Sequence, residues 1–205
     1  MILWHIVYYV ILLEVVHSNL LGVIYRKRDY VIAVIKNMAK VVIVDKYEIT
    51  QEQLWLPGDK IIRQIRALRD FGDVKAGDLG GWVESENILS HEGNCWIDVD
   101  SWVLGRSSIK DDSYVGGSAV IISSSVSGFS RVTGNARIWL SDILDYAEVS
   151  GNANIMLSII AGHGKVSGEA ESDKSMIIDY FCLCGCARSK LSRLGGGLKA
   201  YSGEW

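Results

Sequence analysis

Proline is almost absent from this 205-residue chain, because Pro57 is the single proline beside 21 glycines. Proline cannot donate a backbone hydrogen bond and glycine adopts turn conformations freely, so this balance favours many strands joined by tight corners. Concentrated positive charge is also missing: the net charge is −3 and the pI is near 5.8. Without a lysine- or arginine-rich cluster, the composition argues against a partner that is a nucleic acid.

Cysteine is scarce as well, and three of the four cysteines fall within five residues, at Cys182, Cys184 and Cys186. This is not the disulfide framework of a secreted domain, so we expect a reducing compartment and a cytoplasmic protein. A zinc site needs four converging ligands, whereas alternate side chains along a strand are about 6.5–7 Å apart. The pattern therefore predicts thiols on the solvent side of a strand and no metal site.

A long apolar run occupies residues 2–25 and is followed by Arg26, Lys27 and Arg28. It is long enough to cross a bilayer. Glu14, near the middle of this run, argues against an anchor, because inserting a charge at the centre of a bilayer costs about 2.5–3.5 kcal/mol. Met38 then opens a run that is typical of a natural start, so residues 1–37 are open to more than one interpretation. They are a single-pass membrane anchor, or else an apolar extension outside the fold or a strand or helix packed on the domain. A membrane is a partner only in the first case.

The second half of the chain contains a repeat of 17 residues. Glycine recurs at this spacing, alanine follows two residues later and an aliphatic residue precedes by two. The glycines are Gly117, Gly134, Gly151, Gly168 and Gly185. Within each repeat, aliphatic residues recur at steps of five or six residues, which divides it into three sides. The spacing predicts a three-sided β-solenoid in which these aliphatic residues point inward.

The repeat sets the domain organisation. Residues 97–199 are predicted to form about six coils of 17–18 residues, roughly 29 Å long at the spacing of stacked strands. No coil buries its aliphatic residues alone, so the ends need covers. Residues 38–96 are the predicted N-terminal cap, and residues 200–205 an incomplete terminal coil. The resulting fold class is all-β, a single-stranded parallel β-helix with a small N-terminal cap.

Three stretches together resemble a known family: RQIRALRDFGDVKAGDLGGWV, NILSHEGNCWI and the glycine-asparagine-alanine coils. They resemble the YdcK-type β-solenoid proteins of bacteria and their phages over roughly residues 40–190. This resemblance implies a left-handed β-helix built from hexapeptide repeats. It also implies kinship by fold with trimeric acyltransferases and self-association, with a trimer as one form.

Acyl transfer needs a general base, and in the enzymes implied by the resemblance that base is a histidine at a coil corner. His163, in the run Ala161-Gly162-His163-Gly164-Lys165, is predicted to lie outward at a corner. It is the first candidate, with a solvent-exposed loop histidine as the alternative. His91, in the cap, is the second, with a loop-fixing hydrogen bond as its alternative.

Two functional hypotheses follow. The first is a binding or structural solenoid module without catalysis, because no constellation of catalytic groups is evident. The second is an acyltransferase that uses a coenzyme A thioester, with His163 as base at a subunit interface. The first rests on the sequence itself, and the second rests on the resemblance.

Overall fold

The computed structural model describes residues 45–204. The predicted anchor or extension at residues 1–37 lies outside this part. Residues 45–204 contain no apolar helix of the length that a bilayer crossing requires. They form strands and one short 3-10 helix at Glu86–Ile88, and α-helix is absent from this range.

The N-terminal part is a small antiparallel sheet that continues into the solenoid. Strand β1 (Tyr47–Leu56) pairs with β2 (Lys60–Ala67), which pairs with β3 (Leu79–Val83). β3 then runs parallel to the first strand of one solenoid face. The sheet edge at the N-terminal end of that face is thereby covered rather than left open to other chains.

Three parallel sheets form the solenoid, and we number its faces in the order in which the chain enters them. Face 1 has seven strands: Trp96–Ile97, Tyr114–Val115, Arg131–Val132, Glu148–Val149, Lys165–Val166, Cys182–Leu183 and Lys199–Ala200. Face 2 has six: Trp102–Leu104, Val120–Ile122, Arg137–Trp139, Asn154–Met156, Glu171–Asp173 and Arg188–Lys190. Face 3 also has six: Ser108–Ile109, Ser125–Val126, Asp142–Ile143, Ile159–Ile160, Met176–Ile177 and Arg193–Leu194. The predicted β-solenoid is confirmed, while its handedness stays a prediction.

The core is a set of columns in which each residue stacks on its equivalent one coil away. On face 1, Val132 pairs with Val149 and Val149 with Val166, and all three are fully buried. Full burial of one aliphatic side chain contributes about 1.5–3 kcal/mol. Because each side chain is covered by the coils on either side, stability depends on contacts between neighbouring coils.

Every corner from Gly105 to Gly196 contains one residue in the left-handed backbone region, with φ between +48° and +78°. The first corner, between faces 1 and 2, has glycine in five successive coils: Gly117, Gly134, Gly151, Gly168 and Gly185. The second corner, between faces 2 and 3, has Gly105, Ser123, Leu140, Leu157, Lys174 and Leu191. The third corner, between faces 3 and 1, alternates aspartate and glycine: Asp111, Gly128, Asp145, Gly162, Asp179 and Gly196.

A ladder of buried serines connects the coils beside the second corner. The backbone N–H of Ser158 donates to Oγ of Ser141 at 3.0 Å, and that of Ser175 to Oγ of Ser158 at 3.1 Å. Each hydroxyl in turn donates to the carbonyl two residues earlier, as Ser141 does to Trp139 at 2.7 Å. These buried hydroxyls are therefore both donors and acceptors, so their burial costs little free energy.

Candidate functional site

A groove runs across the outside of face 2 over the middle and later coils. It consists of two depressions of about 420 and 230 Å³ that share Asn154 and Glu171. The other residues that line it are Arg137, Trp139, Asn152, Ile155, Met156, Glu169, Cys186 and Arg188. We call this the face 2 groove.

Strand register places the polar side chains of the groove in one row. Arg137 pairs with Asn154, Asn154 with Glu171, and Glu171 with Arg188 in consecutive parallel strands. Adjacent members of the row are therefore one strand spacing apart, about 4.8 Å. Nε of Arg188 lies 3.1 Å from Oε2 of Glu171. The row presents planar donors and acceptors of both charge signs to solvent.

Trp139 supplies the aromatic surface of the groove. It lies at the end of the strand Arg137–Trp139, pairs with Met156 on the next coil and is 48% exposed. Because side chains alternate along a strand, Arg137 and Trp139 project outward while Ile138 between them is fully buried. An apolar ring thus stands beside the row of polar groups.

His163, the first predicted catalytic residue, lies exposed on the third corner, and its catalytic role stays a prediction. Its ring is stacked between Tyr146 at 4.9 Å and Tyr180 at 4.6 Å. Phe129 extends the stack at 5.2 Å from Tyr146, and we call these four residues the aromatic column. The rings cover one another's faces and leave their edges to solvent. The face 2 groove does not include His163.

At the third corner, beside the aromatic column, a repeated hydrogen bond from a backbone N–H to an aspartate side chain links neighbouring coils. The N–H of Gly128 donates to Oδ2 of Asp111 at 2.9 Å, and the N–H of Gly162 donates to Oδ2 of Asp145 at 3.0 Å. Asp111 and Asp145 therefore serve as structural acceptors between coils. Lys165 is also engaged, because its Nζ lies 2.6 Å from Oε2 of Glu148.

His91, the second predicted candidate, is a partly buried residue of the cap. Its Nδ1 accepts a hydrogen bond from the backbone N–H of Lys46 at 3.2 Å, and its ring stacks on Tyr47 at 4.4 Å. The hydroxyl of Tyr47 lies 2.8 Å from the carbonyl oxygen of Leu89. This geometry provides the loop-fixing hydrogen bond that the sequence offers as the alternative to catalysis, while catalysis by His91 stays untested.

A buried polar pair in the cap has no signal in the sequence. Lys46 is 1% exposed, and its Nζ lies 3.0 Å from the carbonyl oxygen of Cys95 and 3.1 Å from its Sγ. Burial lowers the pKa of Lys46 and raises the pKa of Cys95, although each group partly offsets the shift of the other. Because Cys95 is fully buried, we assign this pair a structural role in the cap.

The cysteine run differs in part from its expectation. Cys182 and Cys184 are only 8% exposed, with their sulfur atoms in contact, whereas Cys186 is exposed. The prediction of solvent-side thiols is therefore wrong for the first two. They lie on face 1, where the strand Lys199–Ala200 packs beside them. Among the residues that the structure describes, no group of three or more potential ligands is placed to hold a metal.

Comparison with known proteins adds one relative. No family model matches the chain. The "Uncharacterized acetyltransferase YdcK" of Escherichia coli (strain K12) is 38% identical over 84 residues. The sequence and the coils together fit a YdcK-type family. The match covers 37% of this chain and 26% of the relative, so the chain spans about a quarter of the YdcK protein's length. The predicted resemblance is thus confirmed, and an activity is carried over only as a proposal.

Proposed function

We propose that the chain is a β-solenoid binding module whose face 2 groove holds a sugar ring of a glycan. The observation that carries this proposal is the position of Trp139 beside the row of Arg137, Asn154 and Glu171. An aromatic surface next to regularly spaced planar polar groups is complementary to a ring that has one apolar face and a rim of hydroxyls.

The chemistry of the groove fits a hydroxyl-rich ligand more closely than a charged one. A sugar hydroxyl donates and accepts at once, and the groove offers guanidinium donors, carboxylate acceptors and amides that do both. Its two arginines are balanced by Glu169 and Glu171, so it does not select strongly for either sign of charge. The apolar face of the ring would cover Trp139, whose exposed surface otherwise contacts water.

The test is a glycan array probed with the full chain, followed by titration of the strongest binder. We expect Trp139→Ala to weaken binding by about tenfold or more, which corresponds to about 1.4 kcal/mol. Trp55→Ala is the matched control, because Trp55 is 66% exposed on β1, far along the chain from the groove. Binding of no glycan, or equal loss in both variants, would contradict the proposal.

A second candidate function is acyl transfer, which the similarity to the Uncharacterized acetyltransferase YdcK favours. In this reaction an acceptor hydroxyl or amine attacks the carbonyl carbon of an acyl-coenzyme A thioester. The C–S bond breaks, and the proton that the acceptor loses ends on the coenzyme A thiolate. His163 would carry that proton, since its ring edge is open to solvent between Tyr146 and Tyr180.

His163→Phe tests this second candidate, because phenylalanine keeps the ring stack and removes the basic nitrogen. With acetyl-coenzyme A and a panel of amine and hydroxyl acceptors, we expect thiol release to fall by about 10²-fold or more in the variant. Tyr180→Phe is the control, since it keeps both the ring and the histidine. The absence of a thermal shift with millimolar coenzyme A, together with equal thiol release in both variants, would overturn it.

A further inference from the structure

The outer surface of face 3 has an apolar centre with a charge at each end. In the column that begins each strand, Ile159 and Met176 are half-buried, while Asp142 precedes them and Arg193 follows. Neither Asp142 nor Arg193 forms an ion pair within residues 45–204. The column therefore reads negative, apolar, apolar, positive over four consecutive coils.

A second column on the same face alternates in size. One residue beyond each strand, the same four coils present Leu144, Ala161, Ile178 and Gly195. A large residue stands in the first and third of these coils, and a small one in the second and fourth. Faces 1 and 2 differ from this surface, because their outer columns carry ion pairs such as Lys165 with Glu148 and Arg188 with Glu171.

Each column is complementary to the same column of a second copy in which the order of the four coils is inverted. A two-fold axis that lies parallel to the strands, midway between the coils of Ile159 and Met176, places the first coil against the fourth and the second against the third. Asp142 then faces Arg193 of the second copy. In the other column Leu144 faces Gly195, and Ala161 faces Ile178, so each large residue meets a small one.

We propose that face 3 binds a second copy of this chain, with the two solenoid axes antiparallel. Such a contact is isologous and closes after two subunits. The apolar centre loses water, while two Asp142–Arg193 pairs at the ends fix the register. A two-fold axis parallel to the solenoid axis would instead place Asp142 against Asp142 and Arg193 against Arg193, which like-charge repulsion disfavours. The arrangement also differs from a trimer with parallel axes, one form that the family resemblance suggests.

Sedimentation velocity of the full chain over the micromolar range tests the pairing. We expect a concentration-dependent dimer whose dissociation constant rises about tenfold or more in Arg193→Glu, because two like-charge pairs replace two opposite ones. Asp142→Arg should have the same effect. Mixing the two variants, or combining both substitutions in one chain, should restore the dimer, because each then regains opposite charges across the interface.

Arg137→Glu is the matched control, since it makes the same charge change at an exposed position of face 2, and it should leave the dimer unchanged. The thermal unfolding of every variant establishes that it is folded. Four results would overturn the proposal: a monomer at every concentration, a trimer, a dimer insensitive to Arg193→Glu, or variants that do not regain association when mixed or combined.

Discussion

The first and second corners of the solenoid solve the same geometric problem with different residues. At both, the chain turns through a left-handed residue, with φ of +74° at Gly151 and +49° at Leu157. A Cβ atom added to Gly151 would lie 2.6 Å from the carbonyl oxygen of Gly168. At Gly105 of the second corner, a Cβ would meet only the hydroxyl of Ser123 at 2.5 Å, with the nearest backbone atom at 3.4 Å. A positive φ therefore does not by itself require glycine, whereas the close approach of two backbones does.

The largest expected effect is a substitution that breaks the close approach at the first corner. Gly151→Ala should lower the free energy of unfolding by about 2–5 kcal/mol, because left-handed strain and overpacking against backbone add together. Urea denaturation followed by circular dichroism measures the change. The control is Gly196→Ala, where φ is +78° and nothing lies within 4 Å of the added Cβ. A similar loss in both variants would show that strain alone explains the glycines.

A middle-sized effect is expected where the second corner gains its inter-coil hydrogen bond. Ser141→Ala removes the acceptor of the Ser158 N–H, a bond of 3.0 Å at a site that is 3% exposed. Leaving this donor without a partner should cost about 1–3 kcal/mol in the free energy of unfolding. Ser127→Ala, on the outer side of face 3, is the control and should cost less than about 0.5 kcal/mol. Equal effects would mean that the ladder adds little to coil stacking.

The smallest effect sharpens the comparison by moving glycine to the second corner. Leu157→Gly relieves about 1–2 kcal/mol of left-handed strain and adds about 0.5–1 kcal/mol of unfolded-state entropy. The midpoint of thermal unfolding should therefore stay the same or rise slightly. Met156→Gly, one residue earlier on the strand and similarly exposed, should lower it. A clear loss in Leu157→Gly would mean that the leucine side chain itself contributes contacts.

The sequence predicts the interior of the solenoid better than its surface. Inward positions are restricted by packing, so aliphatic residues recur there, and Val132, Val149 and Val166 are buried as the spacing requires. The first corner is equally predictable, because the close approach of neighbouring backbones there allows only glycine.

Outward positions are not restricted by packing in this way, so the residues of the face 2 groove form no recognisable pattern in the sequence. Arg137, Asn154 and Glu171 share only their spacing, and nothing in their chemistry marks them as neighbours. The aromatic column did have a signal, because Tyr146 and Tyr180 flank His163 at intervals of 17 residues. Single-residue reasoning about His163 missed it. The pair of Lys46 and Cys95 joins residues 49 positions apart, a contact that only the folded cap creates.

The 17-residue register is the claim on which the solenoid, its groove and its faces all depend. Deleting residues 152–168 removes 17 residues and joins Gly151 to Glu169, which keeps every column aligned. Deleting residues 152–160 removes nine residues and joins Gly151 to Ala161, so that one coil loses its strands on faces 2 and 3. We predict that urea unfolding of the full chain stays cooperative after the longer deletion. After the shorter deletion, this cooperativity should be lost or strongly weakened. A shorter deletion that is as stable as the longer one would contradict the register.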